Sequence, residues 1–296
     1  MLFGVVFAIF HNPGTMLLEN LPLLIIAILA TCLVASGNYV INEIRDAPFD
    51  KLHPAKKNRP IPSGKVNVKI AYLEWVSFMI AGVSLASMVN KPFFYTSLWF
   101  LVMGVLYNVR PFRTKDLPYL DVLSESVNNP IRLLLGWFVL VPGQLPSVSL
   151  LMAYWMIGAF FMAVKRFAEY RNINNREVAG NYRNSFRYYD EGRLLTSIFF
   201  YITSFALFFG IFIIKYHFEL ILATPFIAGF TSYYIKIGLK EDSPVQNPER
   251  LYREKGFLVY AILSMTVFIF LLFLSIPLLY ELFNMPPSHV VPLWTV

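Results

Sequence analysis

A chain of 296 residues that is 57% hydrophobic and only 15% charged, with a mean hydropathy of +0.56, excludes an ordinary water-soluble fold. The net charge of +7 allows a nucleic-acid binder in principle. The basic residues, however, lie between apolar runs rather than in a domain of their own, so phosphates and anionic lipid headgroups are the expected partners and nucleic acid is not.

A helix needs about 20 apolar residues to cross roughly 30 Å of hydrocarbon. Candidate spans in chain order fall near 20–44, 68–90, 92–109, 119–141, 147–168, 194–214, 218–238 and 256–281. They predict an all-α polytopic bundle in one domain over 1–296. The stretch Leu2–Phe10 is too short to cross alone. No basic residue precedes it and no clear cleavage site follows, so it reads as the second half of a ninth helix rather than a signal peptide. Cys32 lies in an apolar run with no partner in the chain, and reads as a small core residue.

The connections carry the orientation. Segments 45–69, 110–115, 165–193 and 236–255 hold 22 of the 25 lysines and arginines. Every second connection is basic and each intervening one nearly bare, which places the four basic loops in the cytoplasm. Lys91, Arg132 and Lys215 are the remainder.

The second helix ends in Asn42-Glu43-Ile44-Arg45-Asp46-Ala47-Pro48-Phe49-Asp50. Asn42, Asp46 and Asp50 fall at i, i+4 and i+8 on one face, with Glu43 three residues before Asp46. Acids stacked at the edge of hydrocarbon repel one another, and a hard cation such as magnesium is one reason to keep them together. Pairing with Arg45, Lys51 or Lys56 is the other. Pro48 disfavours helix at Ala47 and predicts a bend that moves Asp50 off the shared face. The loop that follows, 51–64, carries four positive charges and three prolines. Its Lys56 and Arg59 fit either a phosphate clamp or an anchor on anionic lipid.

Farther on, Arg132 interrupts the apolar run Ile131-Arg132-Leu133-Leu134-Leu135, where an unpaired charge is costly. Glu125 lies on a compatible face, so an ion pair and a phosphate contact are both open. At the end of the span 147–168, Lys165 and Glu169 share a face and Arg166 is three residues from Glu169. They fit a sugar phosphate and metal site, or internal salt bridging. Tyr182, Arg183, Arg187 and Tyr188 read as a solvated cationic and aromatic face.

Asn42, Asp46 and Asp50, followed by His53-Pro54, Arg59-Pro60-Ile61 and Gly64, resemble the first aspartate-rich motif of the UbiA superfamily of intramembrane prenyltransferases. Tyr107 through Asp121, then Arg132 and Gly136, are similar to that family's region between the fourth and fifth helices. Where its aromatic prenyltransferases carry a second aspartate-rich motif, this chain has Lys165-Arg166-Phe167-Ala168-Glu169. That departure, with Asn247-Pro248-Glu249-Arg250-Leu251-Tyr252-Arg253, resembles the branch that includes decaprenyl-phosphate phosphoribosyltransferase.

The resemblance implies nine transmembrane helices around a cavity, and Mg2+ on Asp46 and Asp50, with Glu43 in the place of the family's usual Asp. It implies transfer of phosphoribose from phosphoribosyl diphosphate to a polyprenyl phosphate, with Asp46 and Asp50 catalytic. Asn42, Lys56, Arg59, Tyr107, Arg132, Lys165, Arg166 and Glu169 would bind substrate. The place implied is the inner membrane of a prokaryote with the site facing the cytoplasm. Two other readings stand beside it. One is a prenyltransferase moving an isoprenoid chain from a prenyl diphosphate to an aromatic or other acceptor. The other is a membrane transporter or lipid-binding protein, for which a buried arginine and a basic cytoplasmic face are also ordinary. Lipid chain length and oligomeric state are not legible.

Overall fold

The computed structural model describes residues 1–14, 18–51, 56–173, 175–246, 248–286 and 294–295. The fold is all-α apart from one parallel pairing of two residues each, β1 (Leu274–Ser275) with β2 (Trp294–Thr295). The helices in chain order are α1 (Leu2–His11), α2 (Leu21–Asp50), α3 (Val68–Ser87), α4 (Lys91–Asn108), α5 (Leu120–Ser126) and α6 (Asn128–Leu140). Then come α7 (Val148–Ile173), α8 (Arg176–Tyr182), α9 (Glu191–Tyr216), α10 (Thr224–Gly238), α11 (Lys255–Phe273) and α12 (Pro277–Leu282).

Among the described residues six helical stretches are long and apolar enough to cross a membrane: α2, α3, α7, α9, Phe218–Gly238 and α11. Their outward faces agree, with Leu73, Ile80, Val259 and Ile262 each more than 60% exposed. Such apolar residues on long helices suit lipid contact rather than water. The chain is an integral membrane protein.

Three expected passes differ. The run 92–109 forms α4 but is not among the six. The run 119–141 is broken at Val127 into α5 and α6. Pro130 lacks the N–H that would bond the turn before it, so a straight helix loses a rung there. The run 256–281 stops at Phe273 and resumes only at Pro277, whose ring suits a first turn and opposes an interior one.

The chain divides into two compact units. The first comprises Met1–Ile9, Gly14–Pro146 and Asn175–Tyr189. In it α2 packs on α3, α4 and α6. The buried positions of α2, among them Ala27, Ala30, Val34, Gly37, Ile41 and Ile44, recur every three or four residues, and their small size lets neighbours approach closely. At Gly104 of α4 the fit is tight: a Cβ would lie 2.0 Å from Asn38 Oδ1. Asn38 Nδ2 uses that space to donate to the Phe100 carbonyl at 3.0 Å.

The second unit comprises Phe10–Pro13, Ser147–Asn174 and Asp190–Val296. Here α7 packs along α9, and α10 packs on α11. Phe161 sits between Phe230 and Tyr234, with ring centroids 5.9 and 4.9 Å away.

Candidate functional site

At 1.5 Å per residue the 30 residues of α2 extend about 45 Å, well beyond a hydrocarbon layer of about 30 Å. Its last turns therefore project into the polar boundary, where carboxylates are tolerable. The bend expected at Pro48 does not displace Asp50. The helix runs through the proline to Asp50, and both Asp46 and Asp50 line one cleft.

The opposite wall is the connection from α4 to α5. Arg113 has a left-handed backbone (φ 31°) and Tyr119 a positive φ of 64°, each costly for a side chain with a Cβ. Local bonds hold the turn: Arg113 N–H donates to the Val109 carbonyl, and Asp116 N–H to that of Arg113, both at 2.9 Å. This folds Arg113 and Lys115 back onto α2. Arg113 Nη2 donates to Asp46 Oδ1 at 3.0 Å and its Nε to Asp116 Oδ2 at 2.9 Å. Its Nη1 reaches the Asn108 carbonyl at 3.2 Å, and the guanidinium lies 5.3 Å from the centre of the Phe49 ring.

Lys115 is 3% exposed. Its Nζ donates to Asp46 Oδ1 at 2.5 Å, Asn108 Oδ1 at 2.8 Å and Asn42 Oδ1 at 3.0 Å. Burial pushes this ammonium down from 10.5 to about 8; Asp46 opposes the shift, while Arg113 and Arg183 add to it by repulsion.

The cleft holds about 430 Å³ including its open mouth, and is lined by Asp46, Phe49, Asp50, Arg113, Lys115, Asp116, Arg183 and Asn184. Three acids and three bases face one space. Asp50 is also paired with Arg59 Nη1 at 2.8 Å. Such a site is nearly neutral as it stands, and has cations enough to receive a polyanion once its acids are otherwise engaged.

The donors present suit magnesium. Asp46 and Asp50 offer hard oxygens on one wall, and the side-chain oxygens of Asn42, Asp46 and Asn108 already surround a compact cation, the Lys115 ammonium. Among the described residues no group of three or more His, Cys, Asp and Glu side chains is poised to hold a metal. The acids on hand are the pair from α2, with Asp116 on the opposite wall bonded to Arg113. Glu43 faces another way: its Oε1 accepts from the Ile61 backbone at 2.9 Å and braces the following loop.

Tyr107 OH donates to Glu125 Oε2 at 2.6 Å, while its ring lies 5.7 Å from Lys115 Nζ. Arg132 sits over the Phe100 ring at 5.2 Å. The side chain of Lys56 lies outside the described residues, as does His53. Lys165, Arg166 and Glu169 belong to α7 in the second unit, where buried Arg166 Nη1 bonds Glu169 Oε2 at 3.0 Å.

Sequence reasoning gave no role to Arg113, Lys115, Asp116 or Asn108: Tyr107 through Asp121 resembled the family only as a stretch, and the charges of 110–115 served as a topology signal. It also treated Arg183 as solvated. Its side chain is 17% exposed and faces the cleft.

The chain is 31% identical over 148 residues to decaprenyl-phosphate phosphoribosyltransferase of Mycolicibacterium smegmatis, covering 49% of this chain and 44% of that one. It is 29% identical over 94 residues to digeranylgeranylglyceryl phosphate synthase of Sulfurisphaera tokodaii, covering 32% and 33%. The matches thus span less than half the length of these curated relatives. Among solved structures, a UbiA homologue from Archaeoglobus fulgidus bound to DMAPP and Mg2+ shares the fold, with a TM-score of 0.66 at 19% identity over 91% of this chain and 93% of that one. The family model for UbiA prenyltransferases matches residues 1–259, and the chain belongs to the UbiA prenyltransferase family.

Proposed function

We propose that the protein is a magnesium-dependent membrane transferase that moves phosphoribose from phosphoribosyl diphosphate to a polyprenyl phosphate at the cytoplasmic face of a prokaryotic inner membrane. The observation that carries this reading is the cleft itself, where Asp46 and Asp50 face Arg113, Lys115 and Arg183. Magnesium held by Asp46 and Asp50, with Asn42 beside them, would supply positive charge to the donor's diphosphate.

The chain's own residues do the rest. Burial lowers Lys115 to about 8, so at neutral pH it is protonated and brings its positive charge to the cleft where the diphosphate departs. Arg113 and Arg183 offer further N–H donors where charge grows as the bond from the anomeric carbon to diphosphate oxygen breaks. A lipid phosphate oxygen forms the new bond to that carbon. Phe49, under Arg113, forms an apolar wall that limits water. Arg132 and Tyr107 would meet the lipid phosphate.

Two features favour a phosphoribosyl donor. Curated relatives of that activity match about half of this chain, and the end of α7 carries a bonded Arg166 and Glu169 where a second acid pair would serve a prenyl diphosphate. A prenyl diphosphate donor is the second reading, supported by the relative that makes digeranylgeranylglyceryl phosphate.

Purified protein with magnesium and lipid acceptor, given radiolabelled phosphoribosyl diphosphate or a radiolabelled prenyl diphosphate, separates the two. Label from the sugar donor in extractable lipid, absent with Asp46→Asn, is the expected result. Label from the prenyl donor alone moves the protein to the second reading, and label from neither removes both.

A further inference from the structure

Asp121 is completely buried in the first turn of α5, and a buried carboxylate must be compensated. One short, distant segment contributes to that compensation at several points. Ser185 Oγ donates to Asp121 Oδ2 at 3.1 Å and Tyr189 OH to Oδ1 at 2.7 Å, while Arg183 Nη1 lies 3.9 Å from Oδ2.

The docking is reinforced from the same turn. Tyr119 N–H donates to the Tyr189 hydroxyl oxygen at 2.5 Å. The Tyr119 ring meets those of Tyr188 and Tyr189 edge-on, at 6.0 and 5.5 Å. Ser185, Phe186 and Tyr189 are all 0% exposed. A stretch with the composition of a solvated loop is therefore seated as a plug on α5.

The plug carries Arg183 and Asn184 to the cleft. Arg183 meets Asp121 at long range on one side, with its guanidinium 5.9 Å from the Phe186 ring, and the cleft acids on the other. A guanidinium so placed fits two phosphate oxygens at once.

We propose that Arg183 is a ligand of the donor's diphosphate and that Asp121 is the positioning residue that holds it there, through Ser185 and Tyr189. The proposal rests on the diphosphate-transfer reading above. It adds a determinant remote from α2: the seating of residues 183–189 on Asp121 completes the cation set of the cleft.

The test measures affinity of the full chain, in detergent, for inorganic pyrophosphate with Mg2+. Wild type is compared with Asp46→Asn, Arg183→Ala, Asp121→Asn, Tyr189→Phe and the Asp121→Asn/Arg183→Ala double variant. Arg183→Ala and Asp121→Asn are each expected to weaken binding about tenfold, the loss of one charge-assisted contact. The double variant should be no weaker than Arg183→Ala alone, because two changes acting through one contact are not additive. Asp121→Asn should also expose the Arg183–Asn184 bond to trypsin in the absence of pyrophosphate.

Unchanged affinity in Arg183→Ala, with binding lost in Asp46→Asn, overturns the proposal and leaves the transferase reading intact. Additive weakening in the double variant overturns the role of Asp121. Absence of pyrophosphate binding in folded wild type removes the function reading and the proposal with it. Should Asp121→Asn fail to fold, Tyr189→Phe paired with Arg183→Ala gives the same cycle with a milder change.

Discussion

Lys115 Nζ and Asp46 Oδ1 lie 2.5 Å apart, and the same carboxylate oxygen also accepts from Arg113 Nη2 at 3.0 Å. One anion therefore serves two cations and, in the proposed reaction, a metal as well. These roles separate by mutation. Asp46→Asn should abolish transfer and lower unfolding stability by roughly 3 kcal/mol, since it strands a buried ammonium. Asp46→Asn/Lys115→Met should recover most of that stability while transfer stays absent, as read by thermal unfolding in detergent and by lipid labelling. A double variant that regained transfer would reduce Asp46 to a structural counter-ion.

The depressed Lys115 has a pH signature of definite sign. Its folded value is about 8 against an ordinary 10.5. Below about 8 the lysine is protonated in both states and folding carries the whole cost of burying the charge. Between about 8 and 10.5 the unfolded chain binds the extra proton, so stability rises with pH across that window. Wild-type thermal stability relative to Lys115→Met should increase from pH 8 to 10. A difference that stayed flat, or fell, would contradict the burial geometry.

Much of this was written in the sequence, for identifiable reasons. Apolar runs and alternating basic loops are properties of the local chain, and they located α3, α4, α7 and α9 within about five residues at each end, and the starts of α2 and α11 within one. Asp46 and Asp50 stood out because helical periodicity places them on one face. What could not be read was contact between remote segments. Nothing near Lys115 announces Asn42, which is 73 residues away, and nothing near Arg183 announces Asp121. Residues 110–115 served as a topology signal and fell within a stretch that resembled the family, but no single side chain there stood out, because a basic loop already has a sufficient explanation. Pro48 misled in the opposite direction: its local preference for a bend is overridden by the helix around it, which continues to Asp50.

The approach of α1 to α6 depends on two glycines. A Cβ on Gly4 would fall 1.9 Å from the Leu133 carbonyl oxygen, and one on Gly136 2.0 Å from that of Met1. Both obstacles are backbone, so a side-chain shift cannot relieve them. Gly136→Ala is expected to cost about 1–3 kcal/mol by overpacking, measured by thermal unfolding. Gly143, with nothing within 4 Å of an added Cβ, is the control and should tolerate alanine. Equal stability of the two variants would mean that α1 is not held closely against α6.

The second unit contains a buried polar knot. Glu219 is 0% exposed. Its Oε2 accepts from Tyr280 OH at 2.7 Å and lies 3.2 Å from His217 Nδ1, while Oε1 accepts from the Ile276 backbone at 3.0 Å. His217 Nε2 reaches the Leu271 carbonyl at 2.7 Å. The knot ties the turn before α10 to the end of α11 and the start of α12, where Pro277 has interrupted the helix. Glu219→Ala removes the shared acceptor and leaves several buried donors unsatisfied, at about 3–5 kcal/mol. Glu219→Gln retains an acceptor oxygen for Tyr280 or Ile276 and should cost less. None of these residues lines the cleft among the described residues, so magnesium pyrophosphate affinity per folded molecule should match wild type in both variants. Thermal unfolding and pyrophosphate titration on the same preparations read the two effects apart. Loss of binding without loss of stability would assign the knot to the reaction rather than to the fold.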